Sequence, residues 1–155
     1  INFLIVIIFL SSCSSMNITE ENVYSDNVKT VKASSSMSEN INLDSMAIFA
    51  NATVYFEFDK SSLTSKSIQT LKSAVDALNE NTSIKVTLSG HADERGTREY
   101  NLALGQRRAE SVSDYLVLNG INKSRITVKS FGEEKPLAYG QDESSYAKNR
   151  RVEIN

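Results

Sequence analysis

Residues 90–109, GHADERGTREYNLALGQRRA, put an acid and a base at one junction. Asp93 falls in a polar loop, and Arg108 lies at least one turn inside the helix that follows. A carboxylate takes an ammonium, and a planar guanidinium takes a carboxylate through two parallel hydrogen bonds, so the two together suit a zwitterion. Asn101, Leu104 and Arg108 stand at i, i+3 and i+7 and share one helical stripe. The loop carries His91, Asp93, Glu94, Arg95 and Thr97, with Gly96 for a left-handed turn. Asp93 is therefore expected near Arg108. Spacing alone slightly favours a structural ion pair fixing the loop to the helix over a binding role, and it says nothing of ligand identity.

Other chemistries fit these residues less well. His91, Asp93 and Glu94 make a poor transition-metal set, and His91 is expected to anchor the loop by a hydrogen bond. With one histidine and one cysteine in 155 residues, a structural zinc site is not expected. Asp93 and Glu94 are adjacent, and neighbours rarely face each other across a scissile bond as glycosidase carboxylates must. No nucleophile–base pair is evident, so no enzyme and no cofactor are expected. Arg107-Arg108 and Arg150-Arg151 sit among Glu99, Glu110 and Glu153 and read as mixed surface and pairing residues. A net charge of −2 gives no bulk attraction to nucleic acid.

The elements that must position these residues follow from periodicity. Thr53 to Phe58 has strand composition, with Val54, Phe56 and Phe58 alternating against Tyr55 and Glu57, and Asp59 ends it. Thr64 and Ser65 offer capping hydroxyls before a helix with Ile68, Leu71, Val75 and Leu78 on one face. Asn79 to Asn81 closes it. Ile84, Val86 and Leu88 alternate with Lys85, Thr87 and Ser89 as a half-buried strand. In the second helix Gly105, Ala109, Val112 and Leu116 form the core stripe, two of them small enough for close packing, and Asn119-Gly120 stops it. Ile126, Val128 and Ser130 mark a third strand. Residues 132–149 read as a polar loop, and Val152 and Ile154 as a short last strand. The order implies an α+β fold, β-α-β-α-β(-β), with a mixed sheet and helices packed on one face. About 110 residues suffice for one core.

The chain before residue 46 differs in kind. Residues 1–10, INFLIVIIFL, are too short to span a bilayer and have the length of a signal-peptide apolar core. The chain starts at Ile1, so a charged segment is expected ahead of it. Leu10-Ser11-Ser12-Cys13 resembles the bacterial lipobox, which implies a truncated signal peptide over 1–12 and acylation of Cys13. Each methylene buried in the membrane contributes roughly 0.8 kcal/mol, so several chains anchor firmly. Ser14 follows the cysteine where lipoproteins retained in the inner membrane tend to carry aspartate, which is consistent with the outer membrane. Residues 13–45, rich in Ser, Asn, Glu and Lys, read as a lipidated N-terminus and flexible tether of about 30 Å end to end. The folded domain is expected over 46–155.

GHADERGTREYNLALGQRRAESVSDYL closely resembles the central motif of the OmpA-like C-terminal domain family, in particular its peptidoglycan-associated lipoproteins. The match begins at VYFEFDKSSL, residues 54–63, and continues through SFGEEKP at 130–136 and SYAKNRRVEI at 145–154. The resemblance implies non-covalent binding of peptidoglycan through the diaminopimelate of its stem peptide. By motif position it implies that Asp93 and Arg108 hold the diaminopimelate. Asp59, Leu104 and Arg95 are implied as further pocket positions, with Phe58 beside them and Asn101 ordering the loop. It also implies a lipid-anchored protein on the periplasmic face of the outer membrane. Its partners would be peptidoglycan and a TolB-like periplasmic protein, in a Tol–Pal system serving envelope integrity and division. The competing expectations are a protein-binding envelope adaptor without wall binding and, less well supported, a cell-wall hydrolase.

Overall fold

The computed structural model describes Phe49 and residues 52–155. The expectations for the signal peptide, Cys13 and the tether lie outside the described residues. The elements are β1 (Thr53–Tyr55), α1 (Ser65–Glu80), β2 (Val86–His91), α2 (Arg98–Leu118), a 3-10 turn (Lys123–Arg125), β3 (Ile126–Gly132), α3 (Glu143–Asn149) and β4 (Arg151–Ile154). They build a four-stranded mixed sheet in the order β1-β4-β2-β3. Strands β2 and β3, joined through α2, are parallel, with Leu88 opposite Val128. Strand β4 slots antiparallel between β1 and β2, with Val54 opposite Val152 and Leu88 opposite Ile154.

The core lies between one face of the sheet and the helices. Val54, Val86, Leu88, Val152 and Ile154 meet Leu71, Ala74 and Leu78 of α1 and Ala109, Val112 and Leu116 of α2. Both long helices start on threonine caps. Thr64 accepts from the Ser67 amide at 3.1 Å and Thr97 from the Tyr100 amide at 3.2 Å, satisfying amides that have no partner inside the helix. At the far end of α1, Arg125 donates to the carbonyls of Leu78, Asn81 and Ile84 at 2.7–2.9 Å.

Four expectations are corrected. Strand β1 stops at Tyr55, not Phe58. Phe56 still donates its amide to the Arg150 carbonyl at 2.9 Å, but Phe58 is exposed and Asp59 takes φ 55°, turning the chain out of the sheet. Gly90 and His91 belong to β2 rather than to the loop, because β3 pairs with them through a register shift. Ser89 is buried as well, since β2 has neighbours on both edges. Residues 132–149 are not all loop: Asp142 caps α3, accepting from the Ser145 amide at 3.0 Å.

Candidate functional site

Strand β2 and helix α2 approach until their backbones touch. A Cβ built on Gly90 would lie 1.9 Å from the Gly105 carbonyl oxygen. This contact sets the Asn101–Leu104–Arg108 stripe directly beside the end of β2, where residues 92–96 emerge. Between them lies a cleft of about 220 Å³. Every binding residue implied by the motif lines it: Phe58, Asp59, Asp93, Arg95, Asn101, Leu104 and Arg108. Ala92, Gly96 and Tyr100 complete the lining.

Arg108 is fully buried. Its Nε donates to the Lys60 carbonyl at 2.8 Å, Nη1 to that of His91 at 2.8 Å and Nη2 to that of Glu57 at 3.1 Å. The guanidinium is thus pinned by backbone and has N–H donors to spare. Burial pulls its pKa down to about 10, against the nearby Asp93 charge that holds it up, so it is cationic at neutral pH.

Asp93 is also buried and pairs with other arginines. Its Oδ1 accepts from the Arg95 amide and Nε, both at 3.1 Å, and its Oδ2 from Arg95 Nη2 at 2.8 Å and Arg150 Nη1 at 3.3 Å. Burial pushes the carboxyl pKa up, but the hydrogen bonds from Arg95 and then Arg150 outweigh it and leave the pKa below the usual 3.8. Among the described residues there is no ion pair between Asp93 and Arg108. The direct pair that spacing favoured is replaced by Asp93–Arg95 and Asp93–Arg150, and Asp93 and Arg108 act on each other as charges at one cleft.

The rim is aromatic. The Arg95 guanidinium lies between two rings, 4.1 Å from the Phe58 centroid and 4.3 Å from that of Tyr146. Tyr100 donates its hydroxyl to Asp59, and Asn101 donates to Glu133, tying the start of α2 to the loop after β3. Gly96, at φ 116°, lets the loop reverse into the Thr97 cap.

Two expectations for side chains fail here. The His91 ring is not a hydrogen-bond anchor: among the described residues neither ring nitrogen has a hydrogen-bond partner, Nε2 lies 4.0 Å from Glu153 Oε2, and the ring stacks on Phe131 at 5.4 Å. Its backbone carbonyl does the anchoring, through Arg108. Arg150 and Arg151 are the pairing residues expected, bonded to Asp93 and Glu143 and to Glu153 respectively, but they are about 95% buried rather than on the surface. Tyr100 stands four residues before Leu104, so helical spacing contained its signal. Arg150 is brought to Asp93 only by the placement of β4, which no local pattern reveals.

A larger groove of about 430 Å³ lies along β1 between α1 and α3, lined by Tyr55, Phe56, Ser67, Thr70 and Ala147 among others. Its exposed wall is largely apolar, and although Glu57, Lys66, Lys148 and Arg150 also line it, it contains neither Asp93 nor Arg108. No cluster of potential metal ligands occurs among the described residues, and no described helix is long and apolar enough to cross a membrane.

Residues 55–150 match the OmpA family. The chain is 47% identical over 111 residues to a peptidoglycan-associated lipoprotein of Pseudomonas aeruginosa, covering 72% of this chain and 66% of the relative. It is 48% identical over 100 residues to that of Haemophilus influenzae, covering 64% and 65%. The matched region thus spans just under two thirds of these relatives' length. Among solved structures, the peptidoglycan-associated lipoprotein of Burkholderia pseudomallei superposes with a TM-score of 0.66 at 41% identity, over 69% of this chain and 91% of that one. The cell wall anchor of the type VI secretion system of Pseudomonas aeruginosa superposes with a TM-score of 0.57 at 30% identity, over 66% and 76%.

Proposed function

The chain belongs to the OmpA family, a binding family rather than an enzyme family, and on that premise we propose that it is a cell-envelope lipoprotein that binds peptidoglycan without covalent linkage. The observation that carries this reading is a buried carboxylate and a buried guanidinium lining one small cleft without pairing to each other. The distal carbon of meso-diaminopimelate bears an ammonium and a carboxylate. In our reading Asp93 takes the ammonium and Arg108 the carboxylate, with Leu104 against the methylene chain and Phe58, Asp59, Arg95 and Asn101 forming the surrounds. A lysine-containing stem peptide would leave Arg108 without its partner, and the cleft would reject it.

The names of the relatives support placing this binding at the cell wall. We further propose that Cys13 carries lipid in the outer membrane and that the segment before residue 46 tethers the domain to it. Anchor and receptor on one chain would hold membrane and wall together by avidity, each contact weak and reversible. A TolB-like periplasmic protein is the proposed protein partner, within a Tol–Pal system active in envelope integrity and division. Co-sedimentation with purified sacculi tests the reading. Retention of intact sacculi with no released muropeptides supports it, soluble muropeptides would indicate a hydrolase, and no retention would leave a protein-binding adaptor.

A further inference from the structure

Asp93 has two guanidinium partners of different kinds. Arg95 holds both carboxylate oxygens, and its side chain, 35% exposed, sits at the rim. Arg150 holds Oδ2 with a side chain only 6% exposed. The same Arg150 guanidinium donates to the Phe56 carbonyl at 3.0 Å and to Glu143 Oε1 at 2.6 Å. Together the two arginines fill the acceptor directions of the carboxylate. An ammonium arriving from the cleft therefore reaches Asp93 by taking over bonds from the Arg95 side chain, because Arg95 lines the cleft and Arg150 does not.

We propose that Arg150 is the positioning residue of this site: it ties Asp93 to Phe56, the residue after β1, and to the first turn of α3, so that Asp93 keeps its place when Arg95 yields its bonds to a ligand ammonium. The proposal rests on the reading of the cleft as a receptor for a zwitterion and assigns the support of its acid to a residue outside the cleft lining. Among the described residues, the charged and titratable groups that face Asp93 are Arg95 from its own loop, Arg108 from α2, Tyr146 from α3 and Arg150 itself, and Glu143 of α3 pairs with both Arg95 and Arg150. Of these, Arg150 alone combines burial, a direct bond to Asp93 and bonds to Phe56 and Glu143.

The test compares the full chain with Arg150→Met and Arg150→Lys. Carboxyl carbon NMR follows the titration of Asp93, and a meso-diaminopimelate stem peptide reports binding. Arg150→Met is expected to raise the Asp93 midpoint by roughly one unit and to weaken the peptide about tenfold at neutral pH. Lysine, with its point charge and no fork, recovers only part of both. A purely structural arginine would lower the melting temperature yet leave the Asp93 midpoint where it was, and that result in a folded variant overturns the proposal. Where Arg150→Met fails to fold, an unchanged midpoint in Arg150→Lys does the same. Failure of the unaltered chain to bind the peptide would count against the zwitterion reading, while the Asp93 midpoint still decides whether Arg150 holds it.

Discussion

Gly90 of β2 and Gly105 of α2 are in backbone contact, and the cleft exists because of it. At Gly90 an added methyl would meet the Gly105 carbonyl at 1.9 Å, a backbone atom that cannot step aside. At Gly105 it would meet the Ser130 hydroxyl at 2.4 Å and the Gly90 carbonyl at 2.9 Å. The first neighbour there can rotate, at the loss of its bond to the Leu102 carbonyl. Gly90→Ala is therefore expected to destabilise more than Gly105→Ala, by about 3 kcal/mol against about 1–2 kcal/mol. Urea denaturation of both variants checks the order. Both should also weaken ligand binding, because the displaced helix carries Leu104 and Arg108 away from Asp93.

Arg108 has a structural duty besides its proposed ligand. Arg108→Met leaves the carbonyls of Glu57, Lys60 and His91 without their donor. Only the bond to the His91 carbonyl is buried, the other two being part-buried. A buried acceptor left unmatched costs about 1–3 kcal/mol, so this variant should lose sacculus binding and at least that much stability together. Asp93→Asn keeps the shape and removes the charge. It should lose binding with a smaller loss of stability. Co-sedimentation and denaturation measured on the same preparations separate the two, and equal stability losses would contradict the assignment of Arg108 as the pin between α2 and the turn after β1.

His91 predicts a pH dependence. Burial lowers its pKa from 6.5 to about 4, and the Arg151 charge pushes the same way against Glu153. The folded chain thus keeps the ring neutral where the unfolded chain protonates it. Above pH 6.5 this has no effect. As pH falls from 6.5 to 4 the unfolded state gains protons first, and stability drops by up to about 3 kcal/mol. Asp93 adds nothing in that window, since its lowered pKa preserves its contribution until pH falls below the ordinary 3.8. His91→Leu, which removes the titrating ring, should flatten the stability profile between pH 6.5 and 4. A profile as steep as that of the unaltered chain would contradict it.

Much of the fold was legible because periodicity reports burial. Val54, Leu71, Val75, Leu78, Val86, Leu88, Ala109, Val112, Leu116, Val152 and Ile154 read as core from spacing and are core. Helix α3 was not legible, since ESSYAKN buries only Asn149 and has no apolar stripe to betray a helix. Phe58 alternated as a strand residue would, yet the turn at Asp59 sends it to the cleft rim, a choice made by tertiary contact with Arg95. Spacing placed Asn101, Leu104 and Arg108 on one stripe beside the Asp93 loop, while Phe58 and Asp59 joined the cleft lining only through the motif resemblance. Spacing could bring Asp93 toward Arg108 but could not tell that each would be bonded elsewhere. Arg150 and Arg151 read as mixed surface and pairing residues; their pairing was legible from the acids nearby, but their burial was not, because two adjacent arginines near acids look the same whether β4 is central or peripheral.

The central claim is that the cleft grips both charges of one zwitterionic carbon. Titrating the full chain with a meso-diaminopimelate stem peptide, and in parallel with its lysine counterpart, tests this most directly. Backbone amide shifts across residues 90–109 report the contact. The account predicts saturable binding of the first peptide alone, with the shifts centred on Asp93 and Arg108. Equal binding of both peptides, or of neither, would contradict it.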